Sequence, residues 1–160
     1  MIASDQVNIG CAELMSAYAE LMSACAELRS PTASLMGVFG GYVMASSILR
    51  DKSEAFSARI TACCRVLRDR KVEYSLIDQL LRAGTSVGAN IAEARYANGT
   101  KDFTFRLRIS LKEINETEHW IGVLYKNQSI SQREYSSLRS DIIAIRRMLS
   151  ASIRKLENKE

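Results

Sequence analysis

Glu116-Thr-Glu-His119 is the stretch whose residue types and spacing come nearest to those of a metal-assisted enzyme. An E-x-x-H on a helix sets a carboxylate and an imidazole on one side, as in the carboxylate-bridged di-iron sites of helix bundles. Such a site needs a second E-x-x-H and carboxylates from two more helices. The chain has one histidine, so the second copy does not exist and metal catalysis is not expected. No serine or cysteine stands in a recognisable relation to that histidine, which excludes a readable nucleophile with a positioned base. Cys11, Cys25, Cys63 and Cys64 show no C-x-x-C spacing and read as free thiols of a cytoplasmic protein. The glycines of "AGTSVGAN", Ala83 to Asn90, lie within a helical pattern and lack the Lys-Ser/Thr ending of a phosphate loop. The expectation is a protein with no catalytic residue, no cofactor and no resident metal.

What remains is the chemistry of charge. The net charge of +4 is unevenly distributed. Residues 1–47 carry one basic and four acidic side chains, whereas residues 48–160 carry 21 basic and 14 acidic ones, a net of +7. An anionic partner therefore belongs to the C-terminal two thirds. There, Arg139, Arg147 and Arg154 share a side of a predicted helix away from its apolar stripe, with Arg146 at the margin, over roughly 22 Å. Arg65, Arg68, Arg70 and Lys71 end another predicted helix. Rich in arginine and without a base-reading motif, these two groups would contact the phosphates of RNA or DNA rather than bases. The competing reading is a protein–protein adaptor, with the basic stripe serving solubility.

Four predicted helices position these groups. The first spans about Ser53 to Arg70, with Ser53 as N-cap and Phe56, Ile60, Cys63 and Leu67 on one face. The second, about Ser75 to Tyr96, stops at Asn98-Gly99. The third runs from Thr100 to about Lys126, and the fourth opens on "SQRE", Ser131 to Glu134, a capping box, and reaches about Glu157. Short loops between long helices predict an all-α, antiparallel, up-down-up-down four-helix bundle.

Two interior glycines in the second helix, Gly84 and Gly88, cost about 2 kcal/mol relative to alanine. At 100° per residue both share a face with Ile77, Leu80, Leu81, Val87 and Ile91, so a neighbouring helix can approach closely there. The third helix offers the bulk to fill that groove, with Phe103, Leu107, Leu111, Ile114 and Ile121 in one stripe. A second stripe of Phe105, Ile109, Trp120 and Val123 on its other side points to burial against another subunit. Arg82, Ser86, Asn90 and Glu93 line up opposite the core stripe of the second helix. Folding about Asn98-Gly99 sets Arg82 level with Glu116, and these residues together with Glu113 are expected to form a hydrogen-bonded polar layer, with Trp120 a packing anchor.

Residues 1–47 read differently. "CAELMSA", "YAELMSA" and "CAELRSP" form a tandem seven-residue repeat from Cys11, which reads as a short duplication in preference to the alternative, a working coiled coil. An uncharged run from Ser30 to Leu49 is long enough for a membrane span, but its glycines, Pro31 and five Ser/Thr argue against one. Composition changes near Ile48, just after Met44, and the expectation is a functional polypeptide that begins near Met44.

"KSEAFSARI" (Lys52 to Ile60), "QLLRAGTSVGANIAEA" (Gln79 to Ala94) and "KDFTFRLRISLKEINETEHWI" (Lys101 to Ile121) together resemble the four-helix-bundle family of 23S rRNA intervening-sequence proteins. Relatives of that family include the accessory variability determinant of diversity-generating retroelements. The resemblance covers about Ile48 to Lys159. It implies a compact bundle, assembly as a ring-like homopentamer, a basic surface and no enzymatic activity. The role it implies is nucleic-acid binding, with a reverse transcriptase or another protein as the further candidate partner and no membrane. Where such motifs usually read "RS" or "YW", this chain has Arg82-Ala83 and His119-Trp120.

Overall fold

The computed structural model describes residues 40–158, with side chains from residue 48 onward. The tandem repeat, Cys11, Cys25 and the first part of the uncharged run lie outside the described residues. Those residues form four α-helices and no strand: α1, Gly40–Asp69; α2, Tyr74–Ala94; α3, Gly99–Lys126; and α4, Gln132–Glu157. Each helix packs against the next in the chain, and α1 also touches α4. Among the described residues no helix is long and apolar enough to cross a membrane.

The helix ends follow from local chemistry. Ser131 caps α4: its hydroxyl accepts from the Glu134 N–H at 3.3 Å, and the Glu134 carboxylate accepts from the Ser131 N–H at 2.7 Å. The capping box expected from "SQRE" is thus present. The expectation for α1 is corrected. Its helix starts at Gly40, and Ser53 is a fully buried residue inside it whose hydroxyl donates to the Arg50 carbonyl at 2.7 Å. Serine satisfies itself against the preceding turn as readily as it caps a helix, so the residue type alone did not distinguish the two.

The core is drawn from all four helices: Phe56, Ile60 and Leu67; Ile77, Leu80 and Val87; Leu107, Ile114 and Ile121; Leu138, Ile142 and Ile145. On α2, Ala83 is fully buried, while Leu81 is only half-buried.

The interior glycines face α1, not α3. A Cβ on Gly84 would stand 2.7, 2.8 and 3.1 Å from Cγ2, Cγ1 and Cβ of Ile60, and a Cβ on Gly88 would stand 2.7 Å from Ser57 Oγ and 3.3 Å from the Ser53 carbonyl oxygen. The groove is therefore filled by the β-branched side chain of Ile60 and the Ser57 hydroxyl. Ser57 uses the proximity, donating to the Ser53 carbonyl at 3.0 Å and reaching the Gly84 carbonyl of α2 at 3.3 Å. Toward α3, the Ser110 hydroxyl donates to the Val87 carbonyl at 2.9 Å.

These distances set the sign of two substitutions. Gly84→Ala is expected to destabilise the protein by about 2 kcal/mol, since overpacking against a stiff buried isoleucine outweighs the propensity gain. Gly122→Ala on α3, where a Cβ meets nothing within 4 Å, should stabilise by about 0.5–1 kcal/mol. Denaturant unfolding of the two variants checks both signs.

Candidate nucleic-acid interface and polar layer

The eight basic residues singled out by sequence divide into two groups. Glu118 of α3 accepts from Arg139 at 3.3 Å and from Arg146, so both arginines of α4 are tied to a carboxylate. Arg70 is likewise engaged, donating to Glu134 at 2.9 and 3.3 Å and to the Ser129 carbonyl at 3.1 Å. Arg65, Lys71, Arg147 and Arg154 are exposed and make no ion pair with a described residue. Arg68 is exposed as well, with its guanidinium 5.4 Å from the centroid of the Tyr74 ring.

The residues assigned to the polar layer lie along α2 and α3. Arg82 pairs with Glu116, donates to Gln79 at 3.0 Å and stands 4.0 Å from Glu113. The Ser86 hydroxyl donates to the Arg82 carbonyl at 2.7 Å, and the Asn90 amide donates to the Ser86 carbonyl at 2.8 Å. Ser86 and Asn90 therefore bond within their own helix and not across to α3. Glu93 pairs with Arg106, a partner the sequence reading did not name. Glu113 is buried, with Oε2 lacking a hydrogen-bond partner among the described residues.

Trp120 is half-buried, its indole N–H 3.4 Å from Glu116 Oε1, and its ring meets His119 edge-on at 5.0 Å between centroids. Glu116 is thus occupied by Arg82 and Trp120. Among the described residues no three His, Cys, Asp or Glu side chains come together to hold a metal ion. Cys63 and Cys64 are buried, and burial pushes the Cys64 thiol up to about 11, which keeps it protonated and unreactive at neutral pH.

Sequence reasoning missed the ion pairs that join α1 to α4. Arg59 pairs with Asp141 and bonds to the Ser137 hydroxyl at 2.8 Å. Burial raises the Asp141 pKa against the opposing pull of Arg59 and Lys52. No short loop connects α1 with α4, so no turn in the sequence fixes which residues lie side by side. Also unread was an open cleft of about 300 Å³ lined by Lys101, Thr104, Phe105, Arg108, Leu156 and Glu157.

Four packed helices, ion pairs along their edges and a buried aliphatic core define a small all-α protein whose described residues hold no assembled metal site. The chain belongs to the 23S rRNA-intervening sequence protein family, whose model matches residues 46–151. Its fold is similar to a crystal structure from Bacteroides thetaiotaomicron VPI-5482, a protein of unknown function from the S23 ribosomal protein family. The two are 37% identical with a TM-score of 0.67, and the match covers 69% of this chain and 98% of that one. No curated protein matches the chain.

Glu134 ties the α3–α4 turn to the end of α1, and its titration reports on that tie. Burial disfavours its charge, but the Arg70 guanidinium with the Ser131 N–H and hydroxyl outweighs burial and brings the pKa from 4.5 down to about 2. The unfolded chain therefore takes up this proton first as the pH falls, and the native state loses the contribution. It is complete above about pH 4.5 and drains away toward pH 2. In Glu134→Gln, unfolding free energy should be lower at pH 7 and flatter across that window than in the wild type.

Proposed function

We propose that this protein is a non-enzymatic, cytoplasmic, antiparallel up-down-up-down four-helix bundle that assembles as a homopentamer and binds RNA or DNA without base preference. The observation that carries the nucleic-acid reading is that Arg65, Lys71, Arg147 and Arg154 are exposed with no carboxylate partner among the described residues. Exposed cations with no carboxylate partner remain available for phosphates, and five-fold repetition would multiply them. Antiparallel packing is supported by pairs whose numbers run in opposite senses, Ser110 with Val87 and Arg106 with Glu93. The family name, which refers to sequences intervening in 23S rRNA, is consistent with an RNA partner.

A second reading has its own observation. Phe105 on α3 is 59% exposed, and Ile109, Trp120 and Val123 on the same stripe are half-buried. That stripe supports burial against other copies of the chain. It serves equally an adaptor role, for example beside a reverse transcriptase, without direct contact to nucleic acid.

Salt separates the two readings, because phosphate contacts release counterions and apolar contacts do not. The wild type should bind structured RNA and duplex DNA in fluorescence anisotropy, weakening at least tenfold from about 50 to 200 mM salt. Arg147→Glu with Arg154→Glu should weaken it further by about tenfold; Arg139 is left intact because Glu118 holds it. Binding that ignores both salt and this double substitution would favour the adaptor. Sedimentation should give a particle of about five chains, and a monomer at micromolar concentration would remove the assembly.

A further inference from the structure

Lys71 occupies a left-handed backbone conformation, φ 57°, in the turn that ends α1. The Val72 N–H reaches the Leu67 carbonyl at 3.1 Å and the Lys71 N–H reaches the Arg68 carbonyl at 2.9 Å. This pair of bonds is a Schellman cap, and Lys71 fills the position where glycine is usual because a Cβ there crowds the neighbouring carbonyl. Lysine is the costlier residue for this backbone. Its exposed side chain makes no ion pair among the described residues, so no charge pairing within the fold offsets that cost.

Beside it stands an exposed aromatic ring. Tyr74 opens α2 and is 61% exposed, with Arg68 of α1 set over it at 5.4 Å. The guanidinium lies over the ring without burying it, which leaves aromatic surface open to solvent. Arg65 lies one helical turn before Arg68 and is exposed and unpaired among the described residues. The acidic residues of the turn, Asp69 and Glu73, are exposed and flank this group, while Arg70 is directed to Glu134 and Ser129.

We infer that the α1–α2 turn binds an unpaired nucleotide, its base stacked on Tyr74 and its flanking phosphates held by Lys71 and Arg65. This rests on the nucleic-acid reading above and narrows it to single-stranded segments. A duplex keeps its bases stacked on one another, whereas an unpaired base offers a free face to an aromatic side chain. The chemistry also accounts for lysine at residue 71: the position trades backbone ease for a cation beside the ring. Asp69 and Glu73 would repel a strand that merely lay along the turn, so the ring and the two cations must act together.

The test is anisotropy of the full chain with labelled single strands of RNA and DNA and a matched duplex of each. The wild type should prefer single strands to duplex by about tenfold, and Tyr74→Ala should lower single-strand affinity about tenfold, while Tyr74→Phe retains it. Lys71→Gly should raise the thermal midpoint by about 2 °C yet weaken single-strand binding severalfold and reduce the salt slope by about 0.7. A gain in stability paired with a loss in affinity cannot arise from misfolding. If the wild type binds but Tyr74→Ala and Lys71→Gly both stay within twofold of it, the turn is not the site and the Arg147 and Arg154 reading stands alone. A wild type that binds no nucleic acid overturns both.

Discussion

The close approach of α1 to α2 at Gly84 and Gly88 is the contact on which the rest of the arrangement depends. With no Cβ at either position, Ile60 packs directly on the α2 backbone and the Ser57 hydroxyl reaches a carbonyl of the opposite helix. Burial and dispersion at such short range offset the helix propensity that two interior glycines forfeit. The approach also decides orientation. Once the glycine side of α2 is committed to α1, Ala83 is sealed in the core and Val87 offers its carbonyl to Ser110 of α3. The side carrying Arg82, Ser86 and Asn90 is left at the edge, where Arg82 meets Glu116.

Electrostatics then closes what packing leaves thin. Contact between α1 and α4 is sparser than that between helices consecutive in the chain, and it is there that Arg59 meets Asp141 and that Arg70, just past the end of α1, meets Glu134. Isolated surface pairs contribute little, but Glu134 is buried and serves two masters, the Arg70 guanidinium and the Ser131 cap. The same economy applies on α4, where Glu118 pairs with both Arg139 and Arg146, while Arg147 and Arg154 face solvent. Basic residues in one predicted stripe thus have different availability.

Much of the fold was legible because it is local. The S-x-x-E capping box, the Asn98-Gly99 break and the apolar spacing of α4 each depend on residues within a turn or two of one another. What was misread depends on distant partners. Ser53 has the residue type of a cap just ahead of the apolar spacing of α1, while its hydroxyl is in fact satisfied by the Arg50 carbonyl inside a longer helix. The glycine groove was legible as a groove, but its occupant was not, since Ile60 and the bulky residues of α3 are equally apolar in sequence. Of the candidate site, the meeting of Arg82 with Glu116 follows from a short turn between adjacent helices. The pairing of Glu118 with two α4 arginines, and the placing of Arg68 over Tyr74, depend on side-chain directions that no spacing encodes.

The dependence of the fold on the α1–α2 approach is tested most directly by a double-mutant cycle between Gly84→Ala and Ile60→Ala, followed by denaturant unfolding of the full chain. Truncating Ile60 removes both γ carbons that a Cβ at residue 84 would meet. The penalty of Gly84→Ala should fall sharply in the Ile60→Ala background, where only the 3.1 Å approach to the residue 60 Cβ remains, a coupling of about 1–2 kcal/mol. Additive effects, agreeing within about 0.5 kcal/mol, would mean that the glycine answers to something other than Ile60 and would contradict the account.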